Sequence, residues 1–451
     1  MVCRCLTTQY YAKKALIFLQ QKQIMAELQE FLHRPEEDQS LEEGAVLIAR
    51  YCNPMEDVSV TRVQAQISEI ADKVRNLLYK MNPIHPACNA REGGKQMHNI
   101  ALQGQLLDAL NKVLYQHLHF TGNEEDYYNP LNSYLDQVLQ RRTGIPISMC
   151  ILYAAVARRL GLHLEHVSFP SHFLLRWPQI DGASEPKDFA YVDAYSGGHV
   201  RSASEYRVQH TFGIHLQIVY NCRARSVCMV PVLLCLCAYR NPGGDRTFQL
   251  VRSALSLYLA LVPEDYQYRL LQARIYLHLG IDLGQIHGMD PLQQGIIADL
   301  IEQAKERCAD TADDAEARVK QRMDPGNERV HFAVGLVMKH KRVEYDYMCV
   351  ISGWDVHCEM GQEWQRTMGV DRLPGGAAQP FYNVLVEDSS CRYAAQENLQ
   401  LHPDPKPISH PEVGRYFSGF LRTCYTLNPE MSVLYPDDQK LVKQLLNVAS
   451  K

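Results

Sequence analysis

The sequence predicts an α+β multidomain chain, and three observations carry that expectation. Apolar residues recur at helical spacing through most of the first 160 residues, strand-like runs follow between His163 and Gly198, and the chain turns β-rich after Val330. A length of 451 residues, 46% hydrophobic and 22% charged, suits roughly two to four folded domains.

The first expected helix is YYAKKALIFLQQKQIMAELQEFL, Tyr10 to Leu32, with Leu16, Leu19, Ile24, Leu28 and Leu32 near a 3.6-residue period. RPEEDQSLEE is a polar break. EGAVLIARYCNP and VSVTRVQAQISEIADKVRNLLYKM resume the helical pattern, the second behind Ser59 and Thr61 as cap candidates. NPIHPACNAREGGK reads as a loop, LQGQLLDALNKVLYQHL as a helix, FTGNEEDYYNP as an acidic turn and LNSYLDQVLQRRTG as a short helix. Pro146 suits the first turn of the next helix, which runs to Leu160 and stops at Gly161. HLEHVSFPSHFLLRW and KDFAYVDAYSGG read as two strands around a polar turn.

From Asp245 to Ala309 the pattern is helical again. Two helices joined at Pro263 resemble a single tetratricopeptide-like unit, without a repeating array. CADTADDAEARVKQRMDPGNERV is a charged linker. HFAVGLVMKHKRVEYDYMCVISGWDV, QPFYNVLVEDSS and CRYAAQENLQL form short strands with Gly and Asp at the turns, as in a small all-β barrel. A Pro-rich connection, HPDPKPISHPEVG, leads to RYFSGFL and a last helix, DQKLVKQLLNVA. The expected segments are therefore 1–41, 42–220, 221–328, 329–401 and 402–451.

A net charge of −5 provides no global basic field for nucleic acid. The fourteen cysteines contain no CxxC pair, and the closest pairs, Cys3/Cys5 and Cys235/Cys237, do not match zinc-site spacings. The expectation is mostly free thiols in a reducing intracellular compartment, cytoplasm or nucleus, with neither metal nor cofactor. The start of the chain lacks the apolar core of a secretory signal. The most hydrophobic run, Val227 to Tyr239, is 13 residues long and contains Pro231. A membrane span needs about 20, so no membrane partner is expected. The surrounding segment, Asn221 to Gly244, holds four of the cysteines and reads as buried or aberrant sequence.

The stretch GIPISMCILYAAVARRLGLHLEHVSFPSHFLLRW poses a chemical question. Cys150 near a helix start, then His172 and Asp193 on strands, is the order of a thiol enzyme of transglutaminase or papain-like layout. A helix N-terminus and a neighbouring imidazole lower a thiol pKa, whereas apolar burial raises it. With Pro146 opening the helix, Cys150 lies about one turn inside, roughly 6 Å along the axis. It shares a stripe with Ile147, Ile151 and Ala154. Pro146 and Ser148 stand nearer the amides that stabilise a thiolate. Cys150 is therefore read as packing, and His172 with Asp193 as a remnant of a catalytic set.

Several stretches carry family resemblances. EGAVLIARYCNPMEDVSV, YYNPLNSYLDQVLQRRTGIPIS and VARRLGLHLEHVSFPSHFLLRW resemble the bacterial SirB-type transglutaminase-like family, with its GIP-[IV]-S helix start, GFPGHFL strand and D-x-x-x-G-G strand. Ser171 replaces the glycine of the second motif. The family commonly loses the transglutaminase cysteine, so the resemblance implies a fold more than an activity. VGLVMKHKRVEYDYMCVISGWD with QPFYNVLVEDSSCRYAAQENL resembles the YccV/HspQ family, named for hemimethylated-DNA binding. The implied architecture is a helix-rich transglutaminase-like (papain-like) α+β domain with a tetratricopeptide-like helical extension, then a small all-β barrel.

The two domains in this order, with YYAKKALIFLQQ, RRTGIPISM and SCRYAAQENLQ, resemble a family of F-box proteins over nearly the whole chain. That resemblance implies a substrate receptor of an SCF-type ubiquitin ligase, with protein substrates as partners. No F-box pattern of the type LPxE-[VI]-LxxI occurs in the first 60 residues. The expectation is an F-box-less fragment or isoform, binding the Skp adaptor and cullin only where an upstream F-box is present. In the barrel, Trp354, Trp364, Phe381 and Tyr382 are candidates for an aromatic binding patch, with barrel core as the competing assignment. DNA binding through the barrel is an alternative, opposed by six Lys/Arg against nine Asp/Glu between His331 and Leu401. A hydrolase or acyl-transferase using His172 and Asp193 is the other.

Overall fold

A computed structural model describes residues 5–35, 38–89, 97–169, 172–180, 182–202, 245–263, 265–278, 319–341 and 347–449. Contacts divide the chain into two units, one of residues 19–302 and one of residues 1–18 with 303–451. The first helix, α1 (Leu6–His33), contributes its residues through Phe18 to one unit and those from Leu19 to the other.

In the larger unit, α2 (Leu41–Cys52) and α3 (Val60–Met81) begin where short polar side chains cap free amides. Ser40 Oγ accepts from the Glu43 N–H at 3.3 Å, and Ser59 Oγ from the Arg62 N–H at 3.4 Å. On α3 the buried residues Val63, Ile67, Ile70, Ala71, Val74 and Leu78 form one stripe at helical spacing. α4 (Ile100–Asn111) runs into a π-helical turn, Lys112–His117. Two-residue strands β1 (Thr121–Gly122) and β2 (Thr143–Gly144) pair in parallel on either side of α5 (Leu135–Arg141).

α6 (Pro146–Arg159) is the central helix, with eleven of its fourteen residues buried. The sequence suggested one apolar stripe on this helix. The structure buries it nearly all round, as expected of a core helix whose polar content is this low. It packs against a four-stranded antiparallel meander of β3 (Glu165–Phe169), β4 (His172–Pro178), β5 (Phe189–Asp193) and β6 (His199–Ser202). The run His163 to Trp177, expected as one strand, is thus two antiparallel strands, β3 ending at Phe169 and β4 beginning at His172.

One buried charge ties three helices together. Glu42 on α2, 2% exposed, accepts from Arg158 and, at 3.1 Å, from Arg159 on α6, and Arg159 Nε also reaches Ser68 Oγ on α3 at 3.1 Å. The expected helix pair is present as α7 (Asp245–Leu261) and α8 (Tyr266–His278). It is joined through Pro263 and fastened where Tyr258 donates to Asp265 at 2.6 Å. The apolar run Val227 to Tyr239 lies outside the described residues.

The second unit is built on a five-stranded antiparallel sheet. It comprises β7 (Val337–His340), β8 (Met348–Asp355), β9 (Phe381–Val386), β10 (Cys391–Ala395) and β11 (Leu399–Leu401), in the spatial order β10-β9-β8-β7-β11. A register shift between Ile351 and Gly353 marks a bulge in β8, the usual device for bending a strand. A hairpin of β12 (Phe417–Leu421) and β13 (Cys424–Leu427) joins this sheet through a bridge from Cys424 to Leu336. Short helices α9 (Gln362–Thr367), α10 (Val413–Tyr416) and α11 (Pro429–Leu434) and the longer α12 (Asp438–Ala449) complete the unit. Phe417, Tyr425, Leu427, Met431 and Val442 lie in the same core as Val350, Trp354 and Tyr382. The stretch after residue 401 therefore supplies core as well as a connection.

Candidate functional site

The place where a thiol site is expected is the junction of α6 with β4 and β5. Pro146 opens α6, so the amide of Ile145 just before it is the first in need of a partner. Ser148 supplies one, because its Oγ accepts the Ile145 N–H at 3.1 Å and donates to the Asn132 carbonyl at 2.6 Å. The hydroxyl nearest the helix start is thus engaged in capping and is 3% exposed.

Cys150 is fully buried, and its Sγ donates to the Phe173 carbonyl at 3.4 Å. Burial first, and the Asp193 carboxylate second, push its thiol well above the ordinary range. The thiolate that nucleophilic chemistry requires is therefore disfavoured here.

Asp193 ends β5 and is 8% exposed. Its Oδ1 accepts the N–H groups of Tyr195 and Ser196, both at 3.1 Å, and its carbonyl accepts from Gly198 N at 2.8 Å. These bonds make it the organiser of the AYSGG turn. His172 begins β4, with its backbone paired to Phe169, and its side chain lies outside the described residues. β4 and β5 are antiparallel neighbours, so the strands that carry His172 and Asp193 lie side by side.

Three residues absent from the sequence reading complete this region. Tyr115 on the π-helical turn donates to the Ala194 carbonyl at 2.7 Å. Asn111 Nδ2 donates to the Gly198 carbonyl at 2.9 Å, and Asn111 Oδ1 accepts from Tyr153 of α6 at 2.8 Å. Burial raises both tyrosine hydroxyls well above their usual range. Gly198 has φ +75° with a side-chain atom of Asn111 2.0 Å from where a Cβ would stand, which explains why the D-x-x-x-G-G pattern ends in glycine. The available signal was the spacing of Asn111 and Tyr115, one helical turn apart in an apolar helix.

The barrel aromatics divide. Trp354 and Tyr382 are fully buried and Phe381 is 2% exposed. A patch made of all four is therefore corrected to core for these three. Trp354 and Tyr382 sit in the main core, and Phe381 in a smaller cluster with Cys358, Val370 and Ala395. Trp364 is half-buried, edge-on to Tyr393 with ring centroids 6.0 Å apart. Among the described residues no group of three or more His, Cys, Asp or Glu could hold a metal, and no helix is long and apolar enough to cross a membrane.

With Ser148 engaged in capping and Cys150 fully buried, neither residue presents an accessible nucleophile at the expected place. The match to the transglutaminase-like superfamily covers residues 61–218. A match to the family described as hemimethylated DNA-binding protein YccV like covers residues 330–423. Over 97% of its length the chain is 46% identical to proteins named F-box only protein 21 from Pongo abelii, Mus musculus and Homo sapiens, spanning 72% of each. The chain belongs to the F-box only protein 21 family. A UPF0162 protein of Xylella fastidiosa is 43% identical over 112 residues, 25% of this chain and 38% of that protein. No solved structure matches.

Proposed function

We propose that the chain is the substrate-recognition part of an SCF-type ubiquitin ligase and acts by binding protein substrates. The observation that carries this reading is the 46% identity to proteins named F-box only protein 21 over 97% of the chain. The sealed thiol supports it, because Cys150 is fully buried and bonded to a backbone carbonyl. Association with the Skp adaptor and cullin requires, on this reading, an F-box. Trp364 and the exposed loop at Asp371 are the proposed points of substrate contact on the barrel unit.

The test is affinity capture from cells with the full chain, followed by measurement of the captured proteins' ubiquitination with the receptor present and removed. Captured proteins whose ubiquitination falls when the receptor is removed support the reading. Labelling of Cys150 by a thiol-directed amide probe in the native chain, abolished in His172→Ala, would replace it with a hydrolase.

A further inference from the structure

A second thiol has the surroundings that Cys150 lacks. Cys391 opens β10, an edge strand of the barrel unit's sheet. Among the described cysteines it alone is exposed. Its Sγ lies 3.9 Å from Nε2 of His410, a histidine 8% exposed.

The tautomer of that histidine follows from its other nitrogen. Nδ1 of His410 accepts the backbone N–H of Glu412 at 3.1 Å, so in the neutral ring the proton sits on Nε2. Nε2–H is thus the donor presented to the sulfur. An N–H aimed at sulfur stabilises a thiolate as it forms. His410 also lines a groove of about 620 Å³ with Tyr10, Lys13, Ile408, Phe420 and Tyr425. His410 thus both faces the sulfur and lines an apolar recess whose wall includes Lys13.

We propose that Cys391 and His410 form a reactive thiol pair that accepts small, carboxylate-bearing disulfides as a reversible modification. The thiol releases its proton to solvent, and the thiolate, held by Nε2–H, attacks one sulfur of the disulfide. A bond forms between Cys391 Sγ and that sulfur as the disulfide's own S–S bond breaks. The departing thiolate takes a proton from solvent, so one thiol is consumed and one released with no external oxidant or reductant. Reaching past His410 into the groove that residue lines, the bound half-molecule would find Lys13 as a partner for its carboxylate.

The experiment exposes the native full chain to glutathione disulfide and maps the adducts by mass spectrometry over time. The first adduct falls on Cys391, faster than at the same residue in the urea-unfolded chain. In His410→Ala the reaction slows by about tenfold, the equivalent of one charge-assisted hydrogen bond. The near-ultraviolet absorbance of the thiolate, taken as a difference from Cys391→Ser, falls with it. A first adduct on another cysteine overturns the proposal. So does a native rate no greater than the unfolded rate, a comparison that needs no variant to fold.

Discussion

The carboxylate of Asp438 accepts the indole N–H of Trp354 at 3.0 Å, with both residues fully buried. The same carboxylate accepts from Val334 N at 2.7 Å and from Arg322 Nε at 2.8 Å. Arg322 also caps the carbonyls of Val330 and Phe332 and lies 5.1 Å from the centre of the Trp354 ring. One side chain on the first turn of α12 thus satisfies an indole, a backbone amide and a guanidinium inside the barrel unit.

Asp438→Ala leaves those three donors buried and unpaired. Breaking a buried pair from one side costs about 3–5 kcal/mol. The expected outcome is a fall of that order in the unfolding free energy of the barrel unit, extrapolated from its denaturant transition read by tryptophan fluorescence. Asp438→Asn, which keeps an acceptor, loses less.

Cys150 is expected to resist iodoacetamide in the native chain and to label fully once the chain is unfolded, because it is buried and its thiol is held protonated. Cys150→Ala costs about 1–2 kcal/mol, the loss of one buried heavy atom and its contacts. Capture of partner proteins is unchanged in this variant. Peptide mapping of labelled residues and a binding assay check the two parts.

Gly198→Ala places a Cβ against Asn111 and forces φ +75° on a residue with a side chain. The backbone contribution alone is about 1–3 kcal/mol. A lowered melting temperature in Gly198→Ala, with a smaller change in Ser196→Ala in the same turn, is the expected pattern.

Alkaline pH is expected to unfold the barrel unit. Burial, as the largest cause, pushes Tyr347 and Tyr435 up to about 12 from an ordinary value of 10. A raised folded value means that the stabilising contribution is complete below pH 10. It is then lost as pH climbs from 10 toward 12, since the unfolded tyrosine ionises first. Tyrosinate absorbance rising together with loss of near-ultraviolet circular dichroism in that window is the outcome to measure.

DNA offers a further check. With six basic against nine acidic side chains from His331 to Leu401, the barrel is expected to leave both hemimethylated and unmodified duplexes unshifted on a gel at low salt. Retention of either duplex contradicts this.

The helices were legible because their signals are local. Ser59 stands where a cap is needed, Pro146 opens α6, and Gly161 closes it at φ +82°. The depth of Cys150 followed from counting residues after Pro146. The barrel aromatics were harder to place. FYNVLV is apolar at five of six positions, the pattern of a strand covered on both faces, and Tyr382 and Phe381 accordingly enter different clusters. The turn at Gly198 depends on Asn111, which is 87 residues away, and the one-turn spacing of Asn111 and Tyr115 marks a shared helix face without naming that distant partner.

The barrel unit draws Thr7 to the Phe417 carbonyl across 410 positions and Asp438 to Trp354 across 84. Its recognisable family segment, residues 330–423, contains neither Thr7 nor Asp438. Cloning that segment by its sequence boundaries excises a sheet with its indole donor unanswered and part of its apolar floor in water. Such a fragment lacks Tyr425, Leu427, Met431 and Val442 of its own core, so a failure to bind measured on it reports lost packing as much as lost specificity.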